Sequence, residues 1–497
     1  MATFTSARWW ALGALVLSVL VLGLDATILN VALPTLATEL RATTGELQWI
    51  IDAYMVPFAA LMLPAGALGD RFGRKRVLLV GLAAFGVASV LATSAEGTGA
   101  LIAARALMGA GAALIMPLSM SILPSVFGPE ERGRAIAVWS AAMALGLPLG
   151  PVVGGYLLDH YWWGSIFLVN IPVVLVSLVA AAVLLPESRG PSGSRLDLPG
   201  ALLSVAGLAA LVYGVIQAPV DGWSDPAVLV SLTSGAVLLA VFVAVERRTA
   251  APMMDLAFFR SRVFLWGAIG ATLVSLVMSG LLFVVPQHLQ AVLGHDAFGT
   301  GVRLIPMVAG LMAGGLAGER LVERLGLRTV MTAGLLLLAA GFAAGATTST
   351  ASSYGFAATW LTVVGAGIGL TMVPAMDGVL ATLPEERSGS GSATLQTMRQ
   401  VGGTMGVAAL GSLLSAVYAG GLPSGAPAAA RDSVTAAVAL GDPVLLRAAR
   451  EAFVSGMDVV ILLCGAGSLV VALLVMIFLP GARRKTAKSV HELTSAR

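Results

Sequence analysis

The sequence predicts an all-α integral membrane protein of fourteen transmembrane helices, built as two parallel six-helix repeats with two further helices between them. Three observations carry that prediction. Hydrophobic residues make up 58% of the 497 and charged residues 11%, against about 45–50% and about 25% in soluble domains. The mean hydropathy of +0.92 cannot come from one anchor, because a single span needs only ~20 apolar residues. Apolar runs separated by short basic loops recur along the whole chain, and landmarks of its first half return in order in its second half.

Runs long enough to cross a bilayer fall at 9–33, 47–68, 77–95, 100–123, 135–157 and 165–185. A middle pair follows at 198–217 and 227–246, then 263–285, 302–319, 329–348, 354–380, 391–415 and 457–479. The first run resembles a signal peptide at its start, but it is too long, contains Asp25 and lacks a small-residue cleavage pattern, so it is expected to be retained. This division gives an N-terminal six-helix bundle (1–190), a two-helix central insertion (191–250), a C-terminal six-helix bundle (251–482) and a tail (483–497).

Fourteen spans place both termini on one side. The loops on that side hold Arg71, Arg74, Lys75, Arg76, Arg132, Arg134, Arg189, Arg195, Arg247, Arg248, Arg260, Arg262, Arg324, Arg328 and Arg387, whereas Arg41, Arg303, Arg431, Arg447 and Arg450 fall on the other. The basic side is expected to be cytoplasmic, in a cell inner membrane. A one-helix error would scramble the alternation.

The repeat rests on four landmarks at nearly constant spacing. PEERGRAIAVWSAAM from Pro129 returns in outline as PEERSGSGSATLQTM from Pro384, and GAGAALIMP from Gly109 returns as GAGIGLTMVP from Gly365. Pro34 matches Pro286, and Asp70 to Gly73 match Glu323 to Gly326. Two parallel six-helix halves are the architecture of an alternating-access carrier with its site at their interface. A duplicated scaffold without transport and a channel remain as alternatives, though no filter-like loop or charge ring is visible.

Several functions lose support at this level. Basic residues form no nucleic-acid face. Cys464 is the single cysteine and the four histidines are scattered, so no metal site is expected, and no lysine ends a phosphate-binding loop. No cofactor and no enzymatic activity are expected. A lipid-modifying enzyme stays as a rival class, supported only by the neighbours Asp159 and His160.

At this point the residues resemble a known family. GALGDRFGRKRV (Gly66 to Val77) resembles the signature cytoplasmic loop of the major facilitator superfamily. LDATILNVALP (Leu24 to Pro34), RALMGAGAALIMP (Arg105 to Pro117) and GLPLGPVVGG (Gly146 to Gly155) resemble the motifs of helices 1, 4 and 5 of its drug:proton antiporters, and the fourteen-helix count selects the multidrug efflux branch. The resemblance implies the major facilitator fold and export, with Gly146, Gly150, Pro151, Gly154 and Gly155 as the antiporter motif. The second copy of that motif keeps glycines but has no proline.

The residues themselves support matching roles. Gly66 and Gly73 permit close helix approach and a tight turn, and Asp70 can pair with a basic residue or cap a helix N-terminus at the inner surface. These contacts, with Glu323 and Arg324 in the second copy, are expected to gate the inner side, more weakly in the second copy because Leu327 stands where the first has Arg74. Charges inside spans cost ~2.5–3.5 kcal/mol each even on a permissive scale. Asp25, Asp52, Arg105, Asp377 and Arg399 are such charges.

Rise per residue places Asp25 ~12 Å, Asp52 ~8 Å and Arg105 ~8 Å below the outer helix ends, so all three are expected at one level. Asp25 and Arg105 are the candidates for proton coupling, with a structural ion pair as the alternative. Asp52, Tyr54, Met55, Met108, Met116, Met372, Gln396, Arg399 and Gln400 are candidate substrate contacts, the methionines as an adaptable wall or as ordinary helix packing. Arg399 has no counterpart in the first half and is expected to pair with Asp377. The segment 418–455 is expected to be external and partly mobile. The expected partners are a small-molecule substrate, protons and membrane lipid, and the protein is expected to act as a monomer.

Overall fold

The computed structural model describes residues 2–189, 197–249, 256–350, 352–383 and 388–480. The insertion boundary at 191, Arg195, Arg387 and the basic tail lie outside these residues. The long helices are α1 (Ala2–Glu39), α2 (Thr44–Phe72), α3 (Arg74–Thr93), α4 (Thr98–Val126), α5 (Pro129–His160), α6 (Ser165–Leu184), α7 (Leu198–Asp221) and α8 (Pro226–Glu246). The second half holds α9 (Arg262–Val292), α10 (Ala297–Leu325), α11 (Leu327–Gly345), α12 (Tyr354–Leu380), α13 (Ser388–Gly421) and α14 (Pro443–Phe478).

Among the described residues twelve helices are long and apolar enough to span a membrane, or thirteen when α2, bent by 56° between Met62 and Pro64, counts as one span. α5 stands outside that set; it carries Glu130, Glu131, Arg132 and Arg134 in its first turns. The protein is a multi-pass membrane protein, while the expected total of fourteen spans is not reached by this measure.

Capping explains where the helices begin. Thr43 and Glu46 form a reciprocal capping box at the start of α2, and the Thr98 hydroxyl donates to Glu46 at 2.6 Å, tying the starts of α2 and α4 together. Asp197, Asp225, Asp296 and Asp442 cap α7, α8, α10 and α14. Prolines 34, 57, 64, 219, 286 and 374 sit inside helices, as neighbouring helices permit in membranes.

The two halves pack alike. α1 lies on α5 as α9 lies on α13, and α2 and α3 flank α4 as α10 and α11 flank α12. α3 meets α6 as α11 meets α14. The tight turns between the second and third helix of each half both rest on a left-handed glycine, Gly73 at φ +108° and Gly326 at φ +82°, which a side chain would strain. α7 and α8 form a hairpin whose α7 packs on α2 of one half and α13 of the other.

Several helices outrun the expected spans. α1 continues through Pro34 to Glu39 and α14 begins at Pro443 rather than near 457. The segment 418–455 is not loose: Tyr418 donates to the Ala430 carbonyl at 2.7 Å, short helices run over Ala428–Asp432 and Val434–Ala439, and Thr44 donates to the Asp432 carbonyl at 2.5 Å.

Candidate functional site

The two intramembrane arginines have opposite surroundings. Arg105 of α4 is 1% exposed, and its Nη1 meets the Asp25 carboxylate at 2.7 Å. Its Nε donates to the Ile50 carbonyl at 3.1 Å, and the guanidinium lies 4.3 Å from the Tyr54 ring centre. Asn170 of α6 donates to the other Asp25 oxygen at 3.0 Å. A charge pair removed from water needs this kind of complete partnering to persist. Asp25 therefore stands at the meeting of α1, α4 and α6, with α2 supplying the backbone acceptor and the ring.

The distance expected for Asp25 from its helix end needs correction. With α1 running to Glu39, Asp25 lies ~21 Å along the helix from that end instead of ~12 Å, while its partner Arg105 lies ~10 Å into α4 from Thr98. Asn170 was not singled out by the sequence; its signal is a lone amide in the apolar run FLVNIPVVLV.

Asp52 does not join this cluster. It follows Ile50 by two residues, about 200° around the helix, and Ile50 and Tyr54 are the residues that face Arg105. Its stripe faces elsewhere: Gln48 donates to the Val407 and Ala408 carbonyls at 3.2 and 3.0 Å, and Val56 packs with Leu208, Val212, Ile216 and Ala408. Asp52 is 0% exposed, and among the described residues neither carboxylate oxygen has a hydrogen-bond partner. The single-level triad expected from the sequence is thus split between an Asp25–Arg105–Asn170 cluster and a carboxylate on the stripe of α2 facing α7 and α13. Tyr54 belongs to the Arg105 packing, its hydroxyl buried and without a hydrogen-bond partner among the described residues. Met55 lies along the α2–α13 seam, its sulfur beside Gly403, and Met108 is fully buried.

Arg399 of α13 lacks the expected ion pair with Asp377. Its Nη1 donates to Gln396 Oε1 at 2.7 Å and meets the Met376 sulfur at 3.3 Å; Nε is 3.4 Å from Ser275 Oγ and Nη2 is 3.8 Å from the Met372 sulfur. Asp377 is exposed on α12. Gln396 in turn reaches across to the Met116 sulfur of α4 at 3.9 Å, which brings the two halves together at this point. Gln400 is half-buried one residue beyond Arg399, and its carbonyl accepts from Thr404 at 3.1 Å.

The small-residue run of α5 is packed as a contact surface. A side chain at Gly146 would strike the Gly23 backbone, at Gly150 the Ile28 nitrogen and at Gly154 the Ile28 side chain, so three glycines seat α1 against α5. Thr27 donates to the Gly146 carbonyl at 3.0 Å. Gly155 and Pro151 instead meet the start of α10, at Ala297, Phe298 and Gly301. Further links between the halves lie on the same, predicted external, face: Gln290 donates to the Val31 carbonyl at 2.9 Å and the Phe298 amide to Asp159 at 3.0 Å.

On the opposite face Asp70 binds Arg74 at 2.8 Å, and Arg74 donates to the Ser121 carbonyl of α4 at 2.9 Å. Glu187, which the sequence did not single out among its basic neighbours, holds the Lys75 amide at 3.1 Å and faces Arg76 at 3.6 Å. Arg71 is exposed and lies against the Phe72 ring. Gly66 does not make the expected close approach, since a side chain there would meet nothing; Gly69 does, against Leu118. In the second copy Glu323 and Arg324 are both exposed near the Gly326 turn. A cleft of about 430 Å³, lined by His295, Asp296, Phe298 and Arg303, lies on the predicted external face, away from these charges. Burial, then the Arg303 charge, push the His295 imidazole below its ordinary value.

The family model described as Major Facilitator Superfamily matches residues 15–407. The chain belongs to that superfamily. The multidrug efflux pump LfrA of Mycolicibacterium smegmatis is 35% identical over 462 residues, covering 90% of this chain and 92% of the relative. The methyl viologen resistance protein SmvA of Salmonella typhimurium is 34% identical, covering 94% and 97%. The tetracenomycin C resistance and export protein of Streptomyces glaucescens is 33% identical, covering 82% and 76%. Among solved structures, an inward-facing, unoccupied bacterial homolog of the human lysosomal transporter Spinster superposes with a TM-score of 0.69 at 17% identity, covering 95% of this chain and 98% of that one. That likeness shows the superfamily fold. Within it the Asp25–Arg105–Asn170 cluster lies in the N-terminal half and Arg399 in the C-terminal half.

Proposed function

We propose that the protein is a proton-coupled antiporter exporting lipophilic, cationic or amphipathic compounds across the cytoplasmic membrane, with both termini cytoplasmic. The observation that carries the reading is the buried Asp25–Arg105–Asn170 cluster. Asp25 there accepts from a guanidinium and an amide on two other helices, so its carboxylate oxygens are held by donors while those helices stay in place. A movement of α4 or α6 that parts them leaves a desolvated carboxylate, for which a proton is the compensating ligand. Proton uptake is thereby tied to helix packing. The relatives named for efflux and resistance support export as the direction.

Asp70, Arg74 and Glu187 hold the α2–α3 turn to α4 and α6, and the rearrangement of this turn is the proposed gate. A dedicated exporter of one compound is the second reading, favoured by the relatives named for tetracenomycin C and for puromycin. Inverted vesicles loaded with a pH-sensitive dye test both. Proton movement on adding any of several unrelated lipophilic compounds supports the antiporter, a response to one compound alone supports the dedicated exporter, and no proton movement with transport intact refutes coupling.

A further inference from the structure

Among the described residues Arg399 is a cation without a counter-ion, at the contact between the halves. A guanidinium carries five donor hydrogens, yet among the described residues its acceptors are one amide oxygen at 2.7 Å, one hydroxyl at 3.4 Å and two thioether sulfurs. Sulfur is a weak acceptor. Nη2 in particular has only the Met372 sulfur at 3.8 Å. Arg105, by comparison, is met by a carboxylate, a carbonyl and an aromatic ring. Among the described residues the fold gives the buried Arg105 a counter-ion and the half-buried Arg399 none.

The position adds a second clue. Arg399 lies ~16 Å along α13 from Ser388, a third of the way along the helix, and Gln396 one turn before it touches Met116 of the opposite half. Carrier sites lie between repeats, and this contact joins the two. Met116, Met372 and Met376 surround the guanidinium and its amide partner, and thioethers pack on aromatic faces while adapting to their outline.

We propose that Arg399 is a specificity-determining residue that binds an anionic, acceptor-bearing edge, a phenolate or carboxylate, on a flat aromatic substrate whose ring system packs on Met116, Met372 and Met376. The inference rests on the export reading and names which compounds this end of the site prefers. A planar fork suits a carboxylate or paired oxygens better than an ammonium does. The same fixed charge repels the cationic end of an amphipathic compound and so orients it away from α13.

The test compares two dyes with one xanthene ring system, fluorescein as the anion and rhodamine 6G as the cation, binding to the full chain in lipid nanodiscs. Wild type should bind both. Arg399→Gln should weaken fluorescein by about ten- to a hundredfold, the range for a lost hydrogen bond to a charged group, while rhodamine 6G changes by less than about threefold or tightens as the repulsion is removed. Arg399→Lys keeps the charge without the fork and should fall between; it decides the matter if Arg399→Gln does not fold. Wild type that fails to bind fluorescein, or a variant that loses both dyes equally or neither, overturns the proposal. Nanodisc binding needs no proton gradient, so failed coupling in vesicles and failed discrimination here are separate results.

Discussion

Asp25→Asn replaces a charged carboxylate by a neutral group of the same shape. At 2.7 Å from Arg105 the pair attracts by roughly 6 kcal/mol at an effective dielectric of about 20, and the asparagine oxygen can recover part of this as a charge-assisted hydrogen bond of about 1.5–3 kcal/mol. Arg105 also keeps the Ile50 carbonyl and the Tyr54 ring. The net loss is therefore about 3–5 kcal/mol, so the amount of folded variant in the membrane is measured beside its coupling. Coupling should not survive, because asparagine neither takes up nor releases a proton. Drug-driven proton movement in inverted vesicles should fall at least about tenfold, the equivalent of 1.4 kcal/mol or more in the coupled step. The double variant Asp25→Asn with Arg105→Gln separates a coupling role from a structural one. It removes the unpaired charge and should restore stability, but not proton movement. If the neutral pair moves protons on drug addition as wild type does, Asp25 is only a structural partner of Arg105.

Asp70→Asn should lower the transport rate several-fold with little change in substrate affinity, since Asp70 acts on the α2–α3 turn and its pair with Arg74 is partly exposed, contributing at most about 1 kcal/mol; an affinity loss at an unchanged rate would contradict a gate. Gly155→Val places a side chain against the Ala297 carbonyl and the Phe298 Cα, both 2.5 Å from its first carbon, and should cost about 1–3 kcal/mol while parting α5 from α10. Faster thiol labelling of a cysteine placed at Val152, which borders the Gly301 contact, reads that parting, and unchanged labelling would show that the contact yields elsewhere. Cysteines at Ser192 and Ser424, in a background where Cys464 is replaced by serine, should label from opposite sides of the membrane; labelling from the same side would remove the fourteen-span topology.

Much of this was legible because membranes impose strong local rules. Backbone groups in hydrocarbon must pair within helices, so apolar length alone located the long helices, and duplicated landmarks such as Asp70 to Gly73 and Glu323 to Gly326 located the repeat. Asp25 and Arg105 stood out because charge in a span is costly wherever it occurs. Helix ends were less legible. Pro34 reads as a stop in water, but packed neighbours carry α1 past it to Glu39, which displaced the estimated depth of Asp25.

Partner choice was decided by tertiary structure alone. Depth along a helix says nothing about azimuth, and two residues between Ile50 and Asp52 turn the carboxylate away from Arg105 towards the face shared with α7 and α13. Arg399 and Asp377 are both charged and in adjacent spans, yet the guanidinium points to Gln396 and two methionines while Asp377 is exposed on α12. Asn170, an ordinary polar residue in an apolar run, acquires its importance from meeting Asp25 across 145 positions of sequence. Sequence determines which charges enter the membrane, because that cost is local. Which of them are neutralised by one another depends on helix rotation and packing, and those are settled only when every helix has found its neighbours.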